Sequence, residues 1–220
     1  MAFGDVLSTG SNNTLNIPAS FSPAAAVTVA VGNLIVVFVV EQTSLTVTGV
    51  TDNLGNSYSA FNAGTLGGSS SGRAFWSLAT VAGSSTPVAA CTSSAHNASI
   101  DVAVYEGPFA ASPLDANPAN TVDTSSPYTS PLTGTLAQAD ELLVAYYMSS
   151  SGTAWSAPSQ GSISVQAAAA SANGCIVGAV VAATTSTSID VTQTSVGNAM
   201  QGIGSFKQAA ADTLFAQGCM

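Results

Sequence analysis

The chain predicts an all-β protein: a two-sheet antiparallel β-sandwich, jelly-roll-like, built from two internally related halves. Three observations carry this. Polarity comes from Ser, Thr, Asn and Gly rather than from charge, with 46% of the 220 residues hydrophobic and only 6% charged, against about a quarter charged in an ordinary soluble domain. Hydroxyl and amide side chains compete for backbone hydrogen bonds in helix interiors and suit strand faces and turns. The second observation is Asn33–Glu41, NLIVVFVVE, a short apolar run rich in β-branched residues. It is too short to span a membrane and too β-branched for a helix, so it reads as a strand covered on both faces. The third is its echo at Glu141–Tyr147, ELLVAYY.

Taken in order, Thr14–Ile17 is a weak strand ended by Pro18, and Ala26–Val31 alternates through Val27, Val29 and Val31. Gly32-Asn33 suggests a tight hairpin from there into the apolar run. Leu45–Thr51 is the next strand, and DNLGN at Asp52–Asn56 is a turn, because Asp, Asn and Gly tolerate positive φ and bond their own backbone. Tyr58 and Phe61 fall on a further strand, and GGSSSG at Gly67–Gly72 reads as a loop tip. Arg73–Val81, Val88–Thr92 and Ile100–Tyr105 follow, the last with Ile100, Val102 and Val104 on one face and Asp101 and Tyr105 on the other. Gly107–Pro131 holds five of the nine prolines, which marks an extended surface connection outside the central sheets.

The first pattern returns from Asp140. Trp76–Glu106 lies without gaps on Val177–Lys207, with Ser85/Ser186, Thr86/Thr187, Ser94/Ser195, Asn97/Asn198 and Ala98/Ala199 coinciding. The predicted organisation is therefore one sandwich domain over 1–208, with halves at about 1–106 and 132–208 and a Pro-rich crossover at 107–131. Residues 209–220 form a C-terminal tail or arm, either a short helix through Ala210, Leu214 and Phe215 or a segment docking on a neighbour.

Formal net charge is −9, with Arg73 and Lys207 the only Lys or Arg residues. Two cations cannot displace the counterions that nucleic-acid binding requires, nor hold an anionic membrane. The opening MAFGDVLSTG has neither the basic nor the apolar region of a signal peptide, although the Ser/Thr/Gly/Asn-rich composition resembles that of extracellular surfaces. Cys91, Cys175 and Cys219 form no metal-ligand spacing. Cys91 and Cys175 read as buried free thiols, and Cys219 as the candidate for an intermolecular disulfide.

No catalytic, cofactor-binding or metal site is predicted. His96 lacks the G-x-S-x-G partner of a nucleophile elbow and reads as a solvated loop residue. Glu41, Asp101, Glu106, Asp140 and Glu141 could supply a carboxylate pair for glycoside hydrolysis, but they read as strand-end residues that keep edges from pairing. Asp52, Asn53 and Asn56 offer oxygen ligands without the further acids of a calcium loop. Trp76, Tyr146 and Tyr147 lie on strands and read as core. Trp155 and Tyr128 sit in loop-like contexts and are the candidate glycan contacts.

GNLIVVFVVEQ, VTDNLGNSYSAF, RAFWSLAT, IDVAVYEG and DELLVAYY together resemble a β-sandwich type found in tailed-bacteriophage virion proteins and bacterial surface proteins. The resemblance spans about residues 30–207, although the second half lacks the D-x-x-G-N turn. It implies a non-enzymatic virion-surface module: a capsid decoration or cement protein on the capsid exterior, forming a homo-oligomer, with a trimer favoured, against the major capsid protein or other virion proteins. A carbohydrate-binding or adhesin module of a phage fibre or bacterial surface protein is the alternative, extracellular if not viral.

Overall fold

The computed structural model describes residues 1–14, 19–42, 46–66, 70–92, 97–149, 153–167, 173–182, 184–194 and 197–210. The first part of the chain contributes β1 (Val6–Thr14), β2 (Ser20–Phe21), β3 (Val27–Val29), β4 (Leu34–Gln42), β5 (Val47–Thr51), β6 (Ser59–Leu66), β7 (Ser70–Leu78), β8 (Gly83–Ser85), β9 (Val88–Cys91) and β10 (Ala98–Tyr105). The rest contributes β11 (Phe109–Leu114), β12 (Thr121–Asp123), β13 (Tyr128–Thr129), β14 (Glu141–Ser149), β15 (Trp155–Ser156), β16 (Ser162–Ala167), β17 (Asn173–Val181), β18 (Asp190–Gln193) and β19 (Ala199–Gln208). All pairings are antiparallel. Two large sheets run β1-β10-β4-β7-β6 and β11-β19-β14-β17-β16, with β12 also on β19; three small ones run β2-β9-β5, β3-β8 and β13-β18-β15.

Each apolar run is a central strand, which explains its consecutive hydrophobic residues. On β4, Leu34, Val36, Phe38 and Val40 face a central core shared with Leu142, Val144, Tyr146 and Met148 of β14. Ile35, Val37 and Val39 face an outer core closed by the small sheets of the first half. Leu143, Ala145 and Tyr147 of β14 face a second outer core under β13, β15 and β18. The two large sheets thus pack against each other, and each is covered on its other side. The expected two-sheet sandwich becomes a stack of several sheets, because each half covers its own outer face before the two meet.

Other expectations change with it. Gly32 has the positive φ of a turn (+87°), but β3 pairs with β8 while β4 pairs with β10 and β7. The chain there crosses between sheets instead of making a hairpin. Ser70–Gly72 belongs to β7 rather than to a loop. The proline-dense segment is not confined to surface connection: β11 and β12 border β19 at the edge of the second large sheet. An edge strand tolerates Pro113 because its outer side needs no ladder donor. Beyond Thr14, the weak strand predicted to end at Pro18 lies outside the described residues, as do the predicted tail elements at Leu214 and Phe215.

Candidate functional site

DNLGN folds as the predicted turn, with Gly55 at φ +78°, and its polar atoms are spent on the fold. Asp52 Oδ1 accepts the backbone N–H groups of Leu54 (3.1 Å) and Asn56 (3.0 Å). Its Oδ2 accepts Asn56 Nδ2 (2.8 Å), the Tyr58 hydroxyl (3.1 Å) and the Ser85 hydroxyl (2.8 Å). Burial alone would raise the Asp52 pKa, but these bonds together hold it below its ordinary value. Asn53 reaches across to Ser84 O (2.9 Å) and Thr86 N (2.7 Å). The carboxylate weighed as a calcium ligand is a hub tying β5, β6 and β8 together, and no cluster of metal-binding side chains occurs among the described residues.

Trp155 and Tyr128 do meet, but inside the protein. Trp155 is 2% exposed and Tyr128 fully buried; their rings pack edge-on at 5.6 Å, with Tyr147 at 5.7 Å from Trp155. The Tyr128 hydroxyl donates to Gly197 O (2.8 Å). Neither ring offers a face to a sugar, so the platform expected from their loop-like sequence context is corrected to core packing. Short β13 and β15 carry them inward, a feature that Ser/Pro-rich flanks conceal.

The carboxylates are dispersed. Glu41 and Asp101 point to opposite faces of the first large sheet. Glu41 accepts the Cys91 thiol (3.5 Å) beneath the outer core. Burial raises its pKa, and burial beside Glu41 pushes the Cys91 thiol up to about 12. Cys91 and Cys175 are buried and unpaired, as expected. Asp101 is fully buried between the large sheets with neither carboxyl oxygen hydrogen-bonded, and burial pushes its pKa up to about 8. Glu141 accepts Gln138 N (3.2 Å) and lies beside Asp115 and Ser205; burial is the main cause of its raised pKa. Asp115, unmarked by any motif, pairs with Lys207 at 3.6 Å. Gln138 Nε2 also reaches Gln208 O (3.0 Å), so this cluster fastens the segment before β14 to β19. His96 and Cys219 lie outside the described residues.

One open groove, of about 320 Å³, is lined by Gln160, Val180, Val181, Ala182, Thr185 and Thr187. Gln160 Nε2 donates to Thr187 Oγ1 (3.0 Å) and Ser188 O (2.7 Å), fixing one wall. No motif points to these residues. The signal available in sequence is the shorter connection APSQG (157–161) between β15 and β16, compared with DNLGNSY (52–58) between β5 and β6.

No family model, curated protein or solved structure matches the chain.

Proposed function

We propose that the chain is a structural, non-enzymatic protein of a tailed-phage particle, a capsid decoration or cement protein made of two related jelly-roll-like halves. The observation that carries this is the use made of side chains able to do chemistry. Asp52, Glu141, Tyr128, Tyr147 and Trp155 are all committed to holding turns and cores. That is the economy of a scaffold. The buried positions of Trp155 and Tyr128 leave the carbohydrate-binding alternative without its proposed contacts.

Correspondence between the halves supports the duplicated part of the reading. The large-sheet orders match strand for strand, as do β2-β9-β5 and β13-β18-β15. In the first half the orders β1-β10-β4-β7 and β2-β9-β5 interleave as the strands of a jelly roll do, with β6 joined to β7. Leu34 pairs with Tyr105 where Leu142 pairs with Phe206. Leu34 also pairs with Leu78 where Leu142 pairs with Val180, one residue beyond the gapless overlay, which would set Trp76 on Val177 and place them toward different cores. Side-chain roles recur: Asn33 Oδ1 accepts Ala30 N as Glu141 Oε1 accepts Gln138 N, and Cys91 meets Glu41 as Gln193 meets Ser149.

The halves also face each other as a two-fold pair would, about an axis along the strands. Phe38 meets its counterpart Tyr146 at 4.8 Å. Trp76 meets Phe206 at 6.0 Å, and Tyr105 covers Gly178, the exchanged positions.

On a particle, the module would cement neighbouring capsomers as a homotrimer by burying apolar surface. Val31, Val81 and Val180 are exposed at the end where β4 and β14 begin. Gly4 and Ala209 are bonded at that end too, to Glu106 and Pro108, so both terminal segments start near those valines. Quantitative mass spectrometry of purified particles tests the reading: the chain should appear in fixed ratio to the major capsid protein, and its absence from washed particles overturns the assignment. A non-reducing gel of the same particles should show a disulfide-linked dimer band lost on Cys219→Ser; monomer alone removes the disulfide.

A further inference from the structure

We infer that the groove beside Gln160 is a binding site for a polar turn of a partner protein, one presenting an Asp or Asn side chain as Asp52–Tyr58 does in the first half. The inference rests on the correspondence between the halves and not on the virion reading.

Pairing registers fix the comparison. In the first half Thr51 pairs with Val88 and Ser59 with Trp76. In the second, Ser159 N donates to Asp190 O and Asp190 N to Ser159 Oγ, both at 2.9 Å, and Ser162 pairs with Gly178. The offset that matches Leu78 with Val180 also matches Val88 with Asp190 and Trp76 with Gly178. Between the matched ends the first half has seven residues, 52–58, and the second has two, 160–161.

The seven residues cover a definite surface. Asn56 Oδ1 accepts Thr80 N (2.9 Å) and Thr80 Oγ1 (3.2 Å), Asp52 Oδ2 accepts the Ser85 hydroxyl, and Leu54 lies beside Gly83. At the same offset, Leu78, Ala79, Thr80, Gly83 and Ser85 correspond to Val180, Val181, Ala182, Thr185 and Thr187. Those five, with Gln160, line the groove. The groove is therefore the imprint of a turn that the second half does not supply. Its hydroxyl and backbone groups suit an acceptor side chain held on a tight turn, and Val180, 45% exposed, suits a neighbouring apolar residue.

The test is an NMR titration of the full chain with a backbone-cyclised DNLGNSY peptide, cyclised to limit the ordering cost. Shifts should concentrate at Val180, Val181, Ala182, Thr185 and Thr187. A cyclic ANLGASY control should bind about tenfold more weakly, the loss expected for a charge-assisted hydrogen bond. No shifts at millimolar peptide, shifts elsewhere, or equal binding of the control overturns the site. A second variant replaces Gln160–Gly161 with DNLGNSY. It should fold and no longer take up the peptide; folding with binding unchanged overturns the proposal. If this variant fails to fold, the peptide titration of the natural chain decides the site by itself.

Discussion

The two outer cores close similar spaces by different means. Under the first, β5 is five residues long and β9 four, and the filling is mainly aliphatic: Ile35, Val37, Val39, Val50, Ile100 and Val102. Under the second, β18 has four residues like β9 and β13 two like β2, but the flanking strand β15 has only two, and the rings of Tyr128, Tyr147 and Trp155 take up the volume. Large rings need their polar tips satisfied, and the Tyr147 hydroxyl donates to Ile189 O at 2.6 Å. Less backbone is offset by larger side chains, because close packing constrains volume and not residue type. On the proposed correspondence, a thiol on a carboxylate in one half stands where a hydroxyl meets an amide in the other.

The largest effect should come from the central core, where the proposed correspondence sets Asp101 against Gly202. Its folded pKa is raised from 3.8 to about 8 by burial. The folded state keeps a proton that the unfolded chain releases above about pH 4, so stability is highest below that pH and is lost as pH rises through 8. The span is on the order of 5 kcal/mol. Urea denaturation at pH 5 and pH 9 should show this loss in the natural chain and a clearly smaller one in Asp101→Asn, where Glu41 and Glu141, whose pKa values burial also raises, remain. An unchanged slope in the variant would mean that another group governs it.

Trp155→Ala should cost about 4 kcal/mol, because it empties the site between Tyr128 and Tyr147. Val47→Ala, at the matching point of β5, should cost about half as much by the same assay; equal losses would blur the contrast between ring-filled and backbone-filled cores. Asp52→Ala strands several donors and should cost about 2 kcal/mol, while Gln160→Ala at the shorter turn should cost less than about 1 kcal/mol. Asp52 has a depressed pKa, so its stabilisation is present above the unfolded pKa and lost as pH falls through the folded one. The two variants should therefore differ in acid sensitivity as well as midpoint. Tyr147→Phe should cost about 1 kcal/mol for one hydroxyl bond, measurable as a lowered thermal midpoint.

Strand content is legible because β-branched runs and Asx-Gly turns are local signals: Asn33–Glu41, Glu141–Tyr147 and DNLGN all fold as their residues indicate. What covers a strand is not local. Asp101 alternates as expected, yet its face is buried, since a second large sheet packs on it. Trp155 reads as loop-bound because two-residue strands leave no periodicity to follow. The groove is hidden for a related reason: on the proposed correspondence it is a deletion relative to the other half, visible only once pairing registers align the two.

The shared central core also has a consequence in time. β1 closes on β10 some ninety residues later in the chain (Val6 pairs with Tyr105, Thr14 with Ala98), so the first large sheet cannot complete until Tyr105 has been made. Its inner face, Leu34, Val36, Phe38 and Val40, then waits for β14 and β19 to be synthesised before anything covers it. Folding dominated by such distant pairings is slow, and during synthesis this face is the surface most open to capture by chaperones or by another nascent copy.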